Sequence, residues 1–172
     1  MPVGFKNGTD GNIKIAIDAI GAAQGAHAFL SVTKQGVSAI VTTAGNDACH
    51  IILRGGASGP NYDQDSISEV EYCLKEQDLP PLLQIDCSHG NSRKDFRNQP
   101  LVARDLCHQI EHGSRAIASV MIESNLVEGN QKLGSDPAAL VYGQSITDAC
   151  ISWQTTEEVL EGFAQAVRKR RG

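Results

Sequence analysis

Three short apolar runs in this chain each lead into a residue that can hold charge or a metal, and they recur at nearly one interval. Arg54 closes His50-Ile51-Ile52-Leu53, and His89 follows Leu82-Leu83-Gln84-Ile85-Asp86. Glu123 closes Ala116-Ile117-Ala118-Ser119-Val120-Met121-Ile122. From Arg54 to His89 is 35 positions, and from His89 to Glu123 is 34. Runs this apolar read as strands of a parallel sheet buried on both faces. A fixed interval with a polar residue at each strand's C-terminal end points to repeated βα units, and to barrel units before an open sheet.

The stretches between the runs carry helix signals. Ile13, Ala16, Ile17, Ile20 and Ala23 share one face of a helix over 12–24, with Thr9 or Asp10 as N-cap. Ser66-Ile67-Ser68-Glu69 has the form of a capping box, and Ile67, Val70, Cys73 and Leu74 continue its apolar face. Pro100 suits the first turn of a helix carrying Val102, Leu106 and Ile110 and stopped by Gly113. Thr155-Thr156-Glu157-Glu158 opens a last helix presenting Val159, Leu160, Phe163 and Val167. Lys6 precedes the turn Asn7-Gly8-Thr9-Asp10-Gly11 and lies 48 positions before Arg54. A hairpin, Ala28–Val32 and Val37–Val41 about Lys34-Gln35-Gly36, accounts for that longer interval. Residues 128–148 read as a long loop.

With 172 residues the chain has room for one domain. A net charge of −5 argues against a nucleic-acid surface. The one basic run, Arg168-Lys169-Arg170-Arg171, reads as cations on the last turn of a helix. No apolar run approaches the ~20 residues that span a bilayer. Five dispersed cysteines without a C-x-x-C pair, and no signal sequence, read as a reduced, cytoplasmic chain.

The chemistry-bearing set is Lys6, Arg54, His89, Glu123 and, in the loop, Asp148. His, Glu and Asp together make a mixed nitrogen and oxygen site for Mn, Fe, Co or Zn. Lys6 and Arg54 beside it would hold a phosphate or carboxylate, Arg54 through its planar fork. Together they suggest an anionic, phosphorylated substrate and a metal acting as Lewis acid. Each residue also has a plainer reading. The Asp86–Ser92 cluster could be turn chemistry closing a strand, Lys6 a solvated lysine, and Asp148 the cap of a short turn. Glu123 is the hardest to read as structural, because a carboxylate ending an apolar strand must be paired or bind something. Gly55-Gly56 fits a backbone that approaches a phosphate. His27, His50, His108 and His112 receive no role.

Five motifs in order carry a resemblance: 2–11, 50–56, 86–92, 123–131 and 142–150. They resemble class I 3-deoxy-D-arabino-heptulosonate 7-phosphate (DAHP) synthase, from Pro2 to the last residue. That family is a (β/α)8 barrel that condenses phosphoenolpyruvate with erythrose 4-phosphate and releases phosphate, the first step of the shikimate pathway to aromatic amino acids. The resemblance implies that His89, Glu123 and Asp148 ligate a divalent metal. It implies that Lys6, Arg54 and Asp148 bind substrate, and that Lys6 and His89 are catalytic. Phe29, Ser31 and Val41, in the hairpin at 27–43, match positions lining the aromatic amino-acid effector site of feedback-regulated members.

The fold expected is therefore α/β: about four βα units, the C-terminal half of a TIM barrel with an inserted hairpin, in one domain over 1–172. The family's fourth metal ligand, a Cys, its Lys-Pro-Arg-Thr motif and a further Arg have no counterpart here. Met1 stands at a mid-chain position of the family, as in a truncated product or C-terminal fragment. Little or no turnover by the isolated chain is expected. The alternative is a non-catalytic half-barrel that associates with itself or with a full-length homologue, and a homo-oligomer is expected because four open units leave exposed edges.

Overall fold

The structure is a computed structural model that describes all residues from Met1 to Gly172. Its centre is a parallel four-stranded sheet of β1 (Val3–Lys6), β4 (Cys49–Leu53), β5 (Leu83–Asp86) and β6 (Ile117–Met121), adjacent in that order. The crossovers carry α1 (Lys14–Gln24), α2 (Gln64–Glu76) and α3 (Gln99–Glu111); α4 (Trp153–Arg171) follows β6. Between α1 and β4 the chain makes an antiparallel hairpin of β2 (His27–Val32) and β3 (Ser38–Thr43), with Phe29 opposite Val41.

One side of the sheet makes the core. Cys49, Ile51 and Leu53 of β4, Leu83 and Ile85 of β5, and Cys87 just beyond it are buried. They pack with Ile20 of α1, Leu74 of α2, Leu106 of α3 and Ala166 of α4 in one apolar cluster. The alternate positions, Gly4, His50, Ile52, Gln84 and Asp86, project to the other side, where His50 Nε2 meets Gln84 Oε1 at 3.0 Å. Gly4 leaves room there for the Ile52 and His50 side chains, since a Cβ would sit 2.5 Å from Ile52 Cδ1 and 2.8 Å from His50 Nε2.

The sheet is parallel, as its apolar strands suggest, but it is not buried on both faces. The face bearing His50 and Gln84 is only partly covered: Ile52 and Asp86 are buried, Gly4, His50 and Gln84 are half-buried, and Ala118 and Ser119 of the outer strand β6 are open to solvent. Helix starts also differ from the sequence reading. The α2 cap is Asp63, whose side chain accepts from the Ser66 N–H, and the α4 cap is Ser152, which accepts from the Thr155 N–H. α1 has no side-chain cap: Asp10 instead accepts from the Asn12 N–H, and Asn12 from that of Lys14. Residues 128–148 are not a plain loop. β7 (Val127–Asn130) and β8 (Gln144–Ser145) pair in parallel, and Gln131 bonds the backbone of Val141 and Gln144. No helix is long and apolar enough to cross a membrane.

Candidate metal and anion site

Every residue of the strand-end set lies at the C-terminal edge of the sheet, because parallel strands deliver their following residues to one side. His89 sits in the turn after β5 with φ of 50°. Few residues adopt that left-handed backbone, and histidine is among those that do. Its carbonyl is held by the Lys94 N–H at 2.8 Å and by Ser92 Oγ at 3.2 Å.

The turn aims the imidazole. His89 Nε2 lies 3.5 Å from Glu123 Oε1 and 3.7 Å from Asp148 Oδ2. One donor atom from each of the three lies within 4.8 Å of the others. These separations are long for hydrogen bonds. They suit ligands sharing one ion, which sit about 2.1 Å from it and so roughly 3–4 Å apart. One imidazole and two carboxylates form a donor set for Mn, Fe, Co or Zn, so the residues fit the group that the sequence suggests. Glu123 is three-quarters covered, whereas the Asp148 side chain is 71% exposed. The three line a cavity of about 190 Å³ with Ser88, Ser92 and Lys94.

Around these ligands lies a layer that the strand-end pattern does not single out. Ser88 Oγ donates to Glu123 Oε2 at 2.6 Å. Buried Gln99 bonds the backbone of Glu123 twice, donating to its carbonyl and accepting from its N–H. Asp86 is fully buried and accepts from Lys6 Nζ at 2.8 Å and from the Ser88 N–H at 2.9 Å, with His89 Nδ1 at 2.8 Å. Lys6 therefore reaches the histidine through Asp86. The signal available for Asp86 is its place three positions before His89 in the same strand-turn motif.

Arg54 follows β4 at the same edge, and its side chain makes no hydrogen bond or ion pair within the chain. Its backbone is fixed: the N–H donates to Asn7 Oδ1, and the carbonyl accepts from the N–H groups of Gly90 and Asn91. Asn7 and Asn91 are buried side chains that stitch the strand ends together. Asn91 Nδ2 donates to the carbonyls of Leu53 and Asp86, and Asn7 Nδ2 to that of Gly55. Gly55 and Gly56 lie close against neighbouring loops. A Cβ on Gly55 would lie 2.5 Å from the Gly90 carbonyl carbon, and one on Gly56 would lie 2.5 Å from Gly11 N. Phe29, Ser31 and Val41 share one face of the hairpin.

Two thiols flank the site without joining the ligand cluster. Burial, with the nearby Asp86 carboxylate, pushes Cys87 up to about 12. Burial also raises Cys150, although a hydrogen bond with Ser145 works the other way.

The model of the DAHP synthetase I family matches residues 1–161. The chain belongs to that family. Among its DAHP synthase relatives, the Phe-sensitive phospho-2-dehydro-3-deoxyheptonate aldolase of Escherichia coli (strain K12) is 57% identical over 171 residues, covering 99% of this chain and 48% of that protein. The tyrosine-inhibited one of Schizosaccharomyces pombe is 52% identical over 174 residues, covering 99% and 47%. A solved phospho-2-dehydro-3-deoxyheptonate aldolase from Francisella tularensis SCHU S4 superposes with a TM-score of 0.92 at 50% identity, over 98% of this chain and 49% of that one. The chain thus spans about half the length of the DAHP synthases it matches.

Proposed function

We infer that the chain is the C-terminal half of a DAHP synthase barrel and carries the metal site and part of the phosphoenolpyruvate site of that enzyme. The convergence of His89, Glu123 and Asp148 at the sheet edge, with Lys6 bonded through Asp86 to the same histidine, carries this reading.

In the reaction, C3 of phosphoenolpyruvate bonds to the aldehyde carbon of erythrose 4-phosphate, water adds at C2, and phosphate leaves. Lys6 and the unpaired guanidinium of Arg54 would bind the phosphate and carboxylate of phosphoenolpyruvate, neutralising charge that redistributes as phosphate departs. Asp148, the most exposed of the three ligands, would also contact substrate from the open side of the cavity. His89, Glu123 and Asp148 would hold a divalent Mn, Fe, Co or Zn ion. Bound there, the ion would supply Lewis acidity toward the aldehyde oxygen. Phe29, Ser31 and Val41 form the surface proposed for an aromatic amino-acid effector, in keeping with the Phe-sensitive and tyrosine-inhibited names of the relatives. The five free cysteines accord with a reducing cytoplasm.

The family's Cys ligand, its Lys-Pro-Arg-Thr motif and its further Arg would come from the other half of the barrel. The chain alone is therefore expected to bind Mn²⁺ and phosphoenolpyruvate but to turn over little or not at all. The test is equilibrium binding of each to the purified chain, followed by loss of phosphoenolpyruvate absorbance when erythrose 4-phosphate is added. Failure to bind Mn²⁺ would overturn the metal reading. Robust turnover would overturn the incompleteness.

A second reading, an inert or regulatory half-barrel that associates with itself or with a complete homologue, is favoured by one observation. β1 and β6 each have an unpaired edge, and such edges recruit further strands.

A further inference from the structure

Asp86 is the one carboxylate that touches both halves of the site. Its side chain is fully buried, and Oδ1 is committed to the Ser88 N–H. The other oxygen, Oδ2, lies 2.8 Å from both Lys6 Nζ and His89 Nδ1. Lys6 Nζ has only protons to give, so Oδ2 is already an acceptor, and the same oxygen faces Nδ1. It follows that Nδ1 of His89 is the donor and carries the ring proton. In the neutral imidazole this leaves Nε2 with a bare lone pair. That atom is the one turned toward Glu123 and Asp148, at 3.5 and 3.7 Å.

We propose that Asp86 is a positioning residue that locks His89 in the Nδ1–H tautomer and couples that histidine to Lys6 through one shared oxygen. This rests on the metal and phosphoenolpyruvate reading given above and adds a linkage between its two parts. An anion that draws the Lys6 ammonium away leaves Oδ2 to His89 alone. The Nδ1–H bond to Oδ2 then strengthens and Nε2 becomes a better ligand. By linkage, a metal at His89 and an anion at Lys6 favour each other's binding.

The test uses the 172-residue chain, Mn²⁺ followed by its paramagnetic resonance signal, and long-range ¹H–¹⁵N NMR of the histidine rings. Asp86→Asn presents an amide that can point its oxygen or its NH₂ at Nδ1, so the tautomer is no longer fixed. Mn²⁺ affinity is expected to fall about 10- to 100-fold. Lys6→Gln frees Oδ2 for His89 and is expected to hold or tighten Mn²⁺ affinity, the opposite direction. Asp86→Asn binding Mn²⁺ within twofold of the parent would overturn the proposal while leaving the metal reading intact. If Asp86→Asn does not fold, the parent decides: metal-free His89 should show a protonated Nδ1 and a bare Nε2. The reverse tautomer would overturn the lock. A parent that fails to bind Mn²⁺ yet shows the Nδ1–H tautomer would count against the metal reading and for the lock.

Discussion

Asp63 and Cys87 show how single residues in this chain answer to their surroundings in opposite ways. Burial alone would raise Asp63, but hydrogen bonds from the Ser66 N–H and hydroxyl outweigh it and hold the carboxyl below its ordinary range. A carboxylate lowered on folding stabilises above its unfolded value, near 3.9, and that contribution fades as pH falls through the folded value. Asp63→Ala should cost about 1 kcal/mol at neutral pH, read from urea midpoints. Asp63→Asn caps nearly as well and does not titrate. The parent should therefore lose stability relative to Asp63→Asn on acidification from about pH 5 to pH 3. A constant difference would contradict the lowered carboxyl of Asp63. Cys87 runs the other way: at about 12 it is a thiol at any ordinary pH, and it is fully buried. Iodoacetamide at pH 8 should leave Cys87 unmodified in the native chain and modify it after unfolding, as followed by peptide mass spectrometry. Native labelling of Cys87 would show that the core opens locally. The same scale shows what a sequence exposes. Arg54, His89 and Glu123 are legible because each is a polar residue ending an apolar run, and Asp148 because its motif carries the family resemblance. Asp86, Gln99 and Asn91 are not legible in that way. An Asp, Gln or Asn near a turn looks the same in sequence whether it caps a loop or is buried under a ligand, and only the fold says which.

At the scale of elements, the strands and helices follow from apolar periodicity, and their joints do not. The four βα units are visible because burial on one face writes a pattern into the side chains, whereas the hairpin, mostly exposed, is visible from its two apolar runs about the Lys34-Gln35-Gly36 turn. The N-caps of α2 and α4 lie three residues before their Ser/Thr-x-x-Glu boxes, since Asp63 and Ser152 reach the free N–H groups first. The pairing of β7 with β8 leaves no apolar alternation, because Gln131 and Gln144 hold that segment through side-chain bonds to backbone. The loops after β4 and β5 meet backbone to backbone, with Gly55 at φ of 74° and pressed against Gly90. Gly55→Ala adds a Cβ where there is neither space nor a favourable backbone conformation. It should cost more than about 1 kcal/mol in urea unfolding. It should also weaken Mn²⁺ binding, because the displaced Gly90 adjoins His89. A stable variant with unchanged Mn²⁺ affinity would show that the two loops move independently.

The whole molecule exposes more surface than a chain of its size should. Its accessible area is 10636 Å², for a mass of 18.3 kDa. The scaling for compact monomers gives about 8,100 Å² at that mass, an excess of roughly 2,500 Å². Obligate dimers bury about 2,000–5,000 Å² in total, or about 1,000–2,500 Å² on each partner, so the excess on one chain matches the upper end of one partner's share. It lies on features that a neighbour would cover: Leu30, Val32 and Ile40 on the hairpin, Ala118 and Ser119 on β6, and the partly covered side of the sheet. Both edge strands run in the same direction, so β6 of one copy can lie beside β1 of another without reversing the parallel sense. Two four-stranded sheets joined at both edges supply the eight strands that a closed barrel requires. Sedimentation velocity at tens of micromolar should accordingly show a species heavier than 18.3 kDa that dissociates on dilution. Leu30→Lys with Ile40→Lys tests which surface carries the association. Edge pairing predicts that the double variant still dimerises, whereas hairpin docking predicts that it sediments as a monomer. A parent that stays a sharp monomer across that range would mean the open edges and partly covered sheet face are tolerated in water, and would remove the physical basis for self-association.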